Sequence, residues 1–205
     1  MDRVRVRVID EAVAAIRAGK PVVLPTDTVY GLCAEPSRDA ALEVYRLKGR
    51  AAGQPTALLA ADAEQLFDCV PELRAAEPLV RALLPGPYTL ILPNPARRFP
   101  WLAGNTPDAI GVRVPQLPAQ SAAILEQAGA VMATSANLHG GPDPRRLDEI
   151  SEEIRRGSAV LVDGGELPGT PSTVLDLTGE EPRVLREGAV PAAEALAATA
   201  GGWRE

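Results

Sequence analysis

Four polar clusters in this 205-residue chain carry the side chains that could do chemistry. They are "PTDTVYG" (25–31), "KGRAAGQP" (48–55), "TSAN" (134–137) together with Arg113, and "PSTV" (171–174) together with "LREG" (185–188). Between them they hold cations and short neutral hydrogen-bonders, with no nucleophile set beside a base. Lysine offers a compact charge, and arginine a planar fork that suits a pair of anionic oxygens. Such a set performs transfer by positioning and charge stabilisation, as displacement at phosphorus requires, usually with Mg²⁺ bridging phosphate oxygens.

Taken one at a time, the clusters have plainer readings. Pro25 can end a strand, and Asp27 can bond the backbone of a turn. Lys48 and Arg50 at the end of a helix would complement its dipole. Ser135 and Asn137 are good turn formers or caps. Arg113 interrupts "AIGVRV", where alternation turns it away from Val112 and Val114, so it is either solvated or aimed at an anion. Arg186 could be a surface residue at a strand end. Their joint presence favours a binding site for an anionic reactant.

Composition narrows the alternatives. His139 is the single histidine, which leaves little room for a Ser-His-Asp hydrolase or a multi-histidine metal site. No Walker loop or G-x-G-x-x-G run is present. A net charge of −6 argues against non-specific nucleic-acid binding. No apolar run approaches the roughly 20 residues of a membrane span, and "MDRVRVRVIDEA" lacks a signal peptide's apolar segment, so a cytoplasmic protein is expected. Cys33 and Cys69 lack metal-ligand spacing and read as buried, reduced thiols.

The elements that must position these clusters alternate between two periodicities. "RVRVRVI" (3–9) alternates charged and apolar residues and predicts a strand, followed by a helix in "IDEAVAAIRAGK" with Asp10 and Glu11 at its start and Gly19 near its stop. Further strands are predicted at 21–25, 28–34, 56–60, 88–93, 109–115, 130–134, 159–164 and 172–177. Helices are predicted after Ser37 and at 62–68, 73–84, 118–128, 146–156 and 191–199. Strands this numerous and irregularly separated imply an α/β protein with a twisted, open, mixed sheet and flanking helices. The 20 prolines and 18 glycines punctuate loops without a linker or repeat, so one domain over 1–200 is expected, with a frayed tail at 201–205.

The ordered runs "PTDTVYGL", "LKGR", "LLPGPYTLIL", "IGVRVP", "TSANLHGG", "PSTVLDL" and "VLREGAV" resemble the YrdC-like family of L-threonylcarbamoyladenylate synthases, from about residue 8 to 190. The resemblance implies an enzyme that condenses L-threonine, bicarbonate or CO₂, and ATP into threonylcarbamoyl-AMP and pyrophosphate. That product serves the threonylcarbamoyladenosine modification beside the anticodon of tRNAs reading codons that begin with A. It also implies a YrdC-like fold with a concave cationic face. Carried over by position, Lys48 and Arg50 match a K-x-R motif, and Ser135 and Asn137 an S-x-N motif; these four are the implied catalytic residues.

Thr28, Arg113, Ser135 and Ser172 fall at threonine-binding positions, with Arg113 the partner for the substrate carboxylate. Lys48, Arg50, Gln54, Asn137 and Arg186 fall at ATP-binding positions. The resemblance implies Mg²⁺ held mainly by the ATP phosphates, with no protein metal site. It leaves tRNA and a downstream threonylcarbamoyl-transferase complex as further partners. Two positions depart from the pattern, His139 where many relatives have Ser and Ala109 where many have Thr. Ending at residue 205, the chain resembles the short, single-domain type. Two other readings are a paralogue of the same fold with different nucleotide or carbamoyl chemistry, and a non-catalytic RNA-binding protein.

Overall fold

The computed structural model describes residues 3–51 and 53–200, with residues 3–5 described by their backbone. The apolar runs pair into one nine-stranded sheet. Its strands are β1 (Val22–Pro25), β2 (Tyr30–Ala34), β3 (Ala57–Leu59), β4 (Tyr88–Pro93), β5 (Ala109–Arg113), β6 (Val131–Ser135), β7 (Val160–Leu161), β8 (Thr173–Asp176) and β9 (Arg183–Arg186). They lie in the order β7-β1-β2-β6-β3-β5-β4-β8-β9. The sheet is mixed, as expected: β1/β7, β3/β5 and β4/β8 are parallel, and the other neighbours antiparallel. The helices are α1 (Arg3–Arg17), α2 (Arg38–Leu47), α3 (Ala63–Cys69), α4 (Glu77–Leu83), α5 (Ala119–Ala128), α6 (Glu152–Gly157) and α7 (Ala192–Thr199). No helix among the described residues is long and apolar enough to cross a membrane.

Alternation assigns the two faces of the sheet. On one face Leu32, Met132, Leu58, Val112, Leu90 and Leu175 are fully buried in a core shared with Val44 of α2, Phe67 of α3 and Val80 of α4. Burying each such side chain stabilises the fold by about 1.5–3 kcal/mol. On the other face Val22, Leu24, Cys33, Val131 and Leu59 pack against Ile9, Val13 and Ile16 of α1 and Ile124 and Leu125 of α5. That second core spans β1 to β3. Beyond it the same face continues as Gly111 and Arg113 of β5, Thr89 and Ile91 of β4 and Val174 of β8, which line an open cavity. Gly31, Ala57, Ala109, Gly111 and Ala133 keep its floor low, because their side chains are small or missing.

Several expectations are corrected. "RVRVRVI" begins helix α1 and is no strand. The alternation there covers less than two turns, whereas Ile9, Ala12, Val13 and Ile16 recur at helical spacing and are buried. Glu11 consequently sits mid-helix and pairs with Arg7 at 3.2 Å. Gly19 does end the helix, in the left-handed region at φ +69°, while Lys20 N–H donates to Ala15 C=O at 2.9 Å. The helix over 73–84 is split into a 3₁₀ stretch, Pro71–Ala76, and α4, whose Pro78 has no N–H to continue an earlier turn. The helix over 146–156 likewise divides into Leu147–Glu149 and α6, which Ser151 caps by accepting from Ile154 N–H. Strand β9 adds to the strands expected, β7 is shorter than its 159–164 run, and the frayed tail at 201–205 lies outside the described residues. Cys33 is buried as expected, but Cys69 is only half-buried, and both are free.

Candidate active site

Helix α2 starts where Ser37 accepts from Ala40 N–H, and it ends at Lys48. Gly49 then takes φ +60°, and this left-handed step lets Arg50 turn back while its N–H donates to Tyr45 C=O at 2.9 Å. Lys48 is only 3% exposed, and its ammonium does not act on the carbonyls of its own helix. It reaches the end of β6, where Nζ donates to Ser135 C=O at 2.5 Å, to Asn137 C=O at 2.6 Å and to Asn137 Oδ1 at 3.0 Å. Burial, with the nearby Arg50 charge, lowers the Lys48 pKa to about 8, partly offset by Asp143.

Around that ammonium the three polar residues of "TSAN" take separate tasks. Ala136 is fully buried, and its N–H donates to Tyr30 C=O at 2.8 Å, which pins the turn to β2. Ser135 Oγ donates to Asn137 Oδ1 at 2.7 Å, and Asn137 Nδ2 donates to Gly141 C=O at 2.5 Å. Thr134 Oγ1 accepts from Arg50 Nη1 at 3.3 Å. Arg50 also donates from Nε to Gln54 Oε1 at 2.6 Å and from Nη2 to Pro55 C=O at 2.7 Å. Gln54 therefore orients Arg50 while lining the same cavity.

Arg113 stands across the floor. Its Nη2 donates to Asp27 Oδ1 at 3.0 Å and to Thr28 Oγ1 at 3.3 Å, and its Nε is buried without a partner among the described residues. Desolvation lowers its pKa, Asp27 opposes that shift, and the neighbouring Arg186 adds to it. Arg113 is thus not the solvated strand residue that alternation allowed. Thr28 is itself 1% exposed and sits behind the wall, where Thr26 and Val29 face the cavity. At the far strands Arg186 donates to Ser172 C=O at 2.8 Å from Nη2, and the Ser172 and Thr89 hydroxyls are 2.7 Å apart.

One cavity of about 670 Å³ therefore brings together Lys48, Arg50, Gln54, Arg113, Ser135, Asn137, Ser172 and Arg186, within the usual range for small-molecule sites. Thr28 does not line it and joins them through Arg113 and Thr26. His139 and Ala109, the two departures from the expected pattern, also line it. Sequence reasoning passed over Thr26, Thr89 and Asp143, which line the cavity too. Thr89 was findable, since it lies on the same face of "YTLILP" as Ile91, whereas Asp143 lies in a loop without periodicity. Cys33, beneath the floor, is held protonated by burial, its pKa pushed up to about 12, so it offers no nucleophile. Among the described residues no group of three or more His, Cys, Asp or Glu could hold a metal ion.

The Sua5/YciO/YrdC family model, described as telomere recombination, matches residues 14–188. The chain is 35% identical over 186 residues to threonylcarbamoyl-AMP synthase of Bacillus subtilis, covering 89% of this chain and 54% of that protein. It therefore spans about half the length of that relative. Pyrococcus abyssi Sua5 complexed with L-threonine superposes with a TM-score of 0.83 at 33% identity, over 98% of this chain and 59% of the other. The crystal structure of E. coli YciO gives 0.76 at 29% identity, over 89% and 90%.

Proposed function

The chain belongs to the Sua5/YciO/YrdC family, and from that premise we propose that it is an L-threonylcarbamoyladenylate synthase, a nucleotidyltransferase using L-threonine, bicarbonate or CO₂, and ATP. The observation that carries this reading is the arrangement of Lys48 and Arg50 with Ser135 and Asn137 at one end of a cavity whose other end holds Arg113. The names of relatives support the same reaction.

In this reading the threonine amine adds to CO₂, losing a proton to form a carbamate. A carbamate oxygen then attacks the α-phosphorus of ATP in line, and pyrophosphate leaves. Lys48 and Arg50 stabilise charge on the phosphate oxygens, Ser135 and Asn137 orient the reacting groups, and the Arg113 guanidinium takes the threonine carboxylate. Electrostatic groups of this kind commonly lower a barrier by about 2.7–4 kcal/mol each. The lining hydroxyls of Ser135, Ser172 and Thr134 pair with an amide oxygen, another hydroxyl and a guanidinium and not with a base, so the reaction proceeds without a covalent enzyme intermediate. Mg²⁺, when bound with ATP, would neutralise phosphate charge. A wall with one carboxylate, Asp143, fits an ion that takes most of its ligands from phosphates and water. The product would pass to a threonylcarbamoyl-transferase complex acting on tRNA in the cytoplasm.

Pyrophosphate release from ATP, measured with and without L-threonine and bicarbonate, tests the proposal. Release that requires both is the expected result. Release indifferent to threonine points to other nucleotide chemistry on the same fold, and no release at all to a binding protein.

A further inference from the structure

Asp27 is the acid of "PTDTVYG", and a turn-forming role would leave it in solvent. Its side chain is instead 11% exposed, and that of Arg113 12%. Its two carboxylate oxygens hold different parts of the fold. Oδ1 accepts from Arg113 Nη2 at 3.0 Å, and Oδ2 accepts from the backbone N–H of Gln116 at 3.2 Å. One carboxylate thereby ties the β1–β2 turn both to the last residue of β5 and to the chain that leaves it.

This matters for Arg113, because little else holds it. Its Nε has no partner among the described residues, the Thr28 hydroxyl is a longer contact at 3.3 Å, and the charge of Arg186 acts against it. A guanidinium recognises a carboxylate through a fork of fixed geometry, so its plane must be set before the ligand arrives. Remove the anchor, and a buried cation facing a second cation will turn toward solvent in the cavity.

We propose that Asp27 is a positioning residue for the amino-acid substrate: its carboxylate fixes the plane of the Arg113 fork from behind the cavity wall. The inference rests on the proposed function, through the assignment of Arg113 to the threonine carboxylate.

Calorimetric titration of L-threonine and of ATP into wild type, Asp27→Asn, Arg113→Lys and the double variant tests it. Asp27→Asn should weaken threonine binding about tenfold or more, the factor for one charged hydrogen bond, while ATP affinity stays within about twofold. The double variant should bind threonine no more weakly than Arg113→Lys, since an anchor without its fork has nothing to position. Losses that multiply, or an Asp27→Asn variant that binds threonine like wild type, overturn the proposal. The ¹⁵N resonance of Arg113 Nε–H gives a readout that needs no substrate. It should be protected from exchange in wild type and lose that protection in Asp27→Asn, and an unchanged signal overturns the proposal. If wild type binds no threonine, the functional reading fails, and this resonance still decides whether Asp27 positions Arg113. Should Asp27→Asn melt far below wild type, Asp27→Glu, which restores the charge, must recover both the protected resonance and the threonine affinity.

Discussion

The two cationic ends of the cavity are held in opposite ways. Arg113 sits against a carboxylate, with Asp27 at 3.0 Å, whereas Lys48 sits among carbonyl and amide oxygens and Arg50 among an amide, a hydroxyl and a carbonyl. A cation matched by an acid keeps its directionality but attracts a distant anion weakly. A cation held by neutral dipoles keeps most of its field, at the cost of desolvation that no ion pair offsets. The first arrangement suits one small carboxylate that must be oriented, and the second suits a polyphosphate that must be attracted and stabilised as charge moves. Burial lowers the pKa of both cations; the ion-paired Asp27 opposes the shift at Arg113, whereas no acid among the described residues forms an ion pair with Lys48.

The strongest challenge to this contrast is Lys48→Met. Turnover should fall by about 10²–10³-fold, the range for loss of one preorganised electrostatic donor. Thermal stability should fall as well, because the substitution strips a donor from Ser135 C=O, Asn137 C=O and Asn137 Oδ1. A lower melting temperature with intact turnover would reduce Lys48 to a structural clamp.

Arg113→Lys probes the other end, keeping the charge and removing the fork. Threonine affinity should drop by about 1–3 kcal/mol while ATP affinity holds, as read by calorimetry. A loss confined to ATP would erase the distinction between the two ends.

A smaller effect comes from pH. The pKa of Lys48 is lowered to about 8 from an ordinary 10.5, so its charge is lost as pH rises through about 8, and ATP affinity should decline from pH 7 to 9. Stability should move the other way. The unfolded chain binds this proton more tightly than the folded one, so the Lys48 contribution to stability rises with pH between about 8 and 10.5. Both trends should vanish in Lys48→Met, in titrations and in denaturant melts across that range.

The smallest effect calibrates the rest. Arg98 and Glu72 form an ion pair at 2.6 Å outside the cavity lining, with side chains 41% and 26% exposed. Arg98→Ala should cost less than about 1 kcal/mol in denaturant unfolding and leave turnover unchanged. A larger activity loss there would mean that the cavity responds to charge anywhere in the molecule, and the contrast between its ends would lose its meaning.

Much of the architecture was legible in sequence because it depends on local periodicity. Val22–Pro25, Tyr88–Pro93 and Ala109–Arg113 are strands where apolar or alternating runs predict them, and Ser37 caps the helix that it was expected to open. The turn of Arg113 away from Val112 and Val114 was equally readable. Where two periods competed, in "RVRVRVIDEAVAAIR", burial of Ile9, Ala12, Val13 and Ile16 against α5 and the sheet selected the helix.

By itself, then, the sequence determined which residue types the chain offers and which face of its own element each one takes, since both follow from composition and from repeats of 2 or 3.6 residues. It could not say which faces meet. Lys48 finds Asn137 across 89 positions, and Asp27 finds Arg113 across 86, through a strand order that sets β6 between β2 and β3. Those pairings, and the arrest of α1 and α5 over half of one face so that the rest stays open as a cavity, belong to the tertiary structure. Packing between distant segments minimises exposed apolar area over the whole chain, and no window of sequence contains that sum.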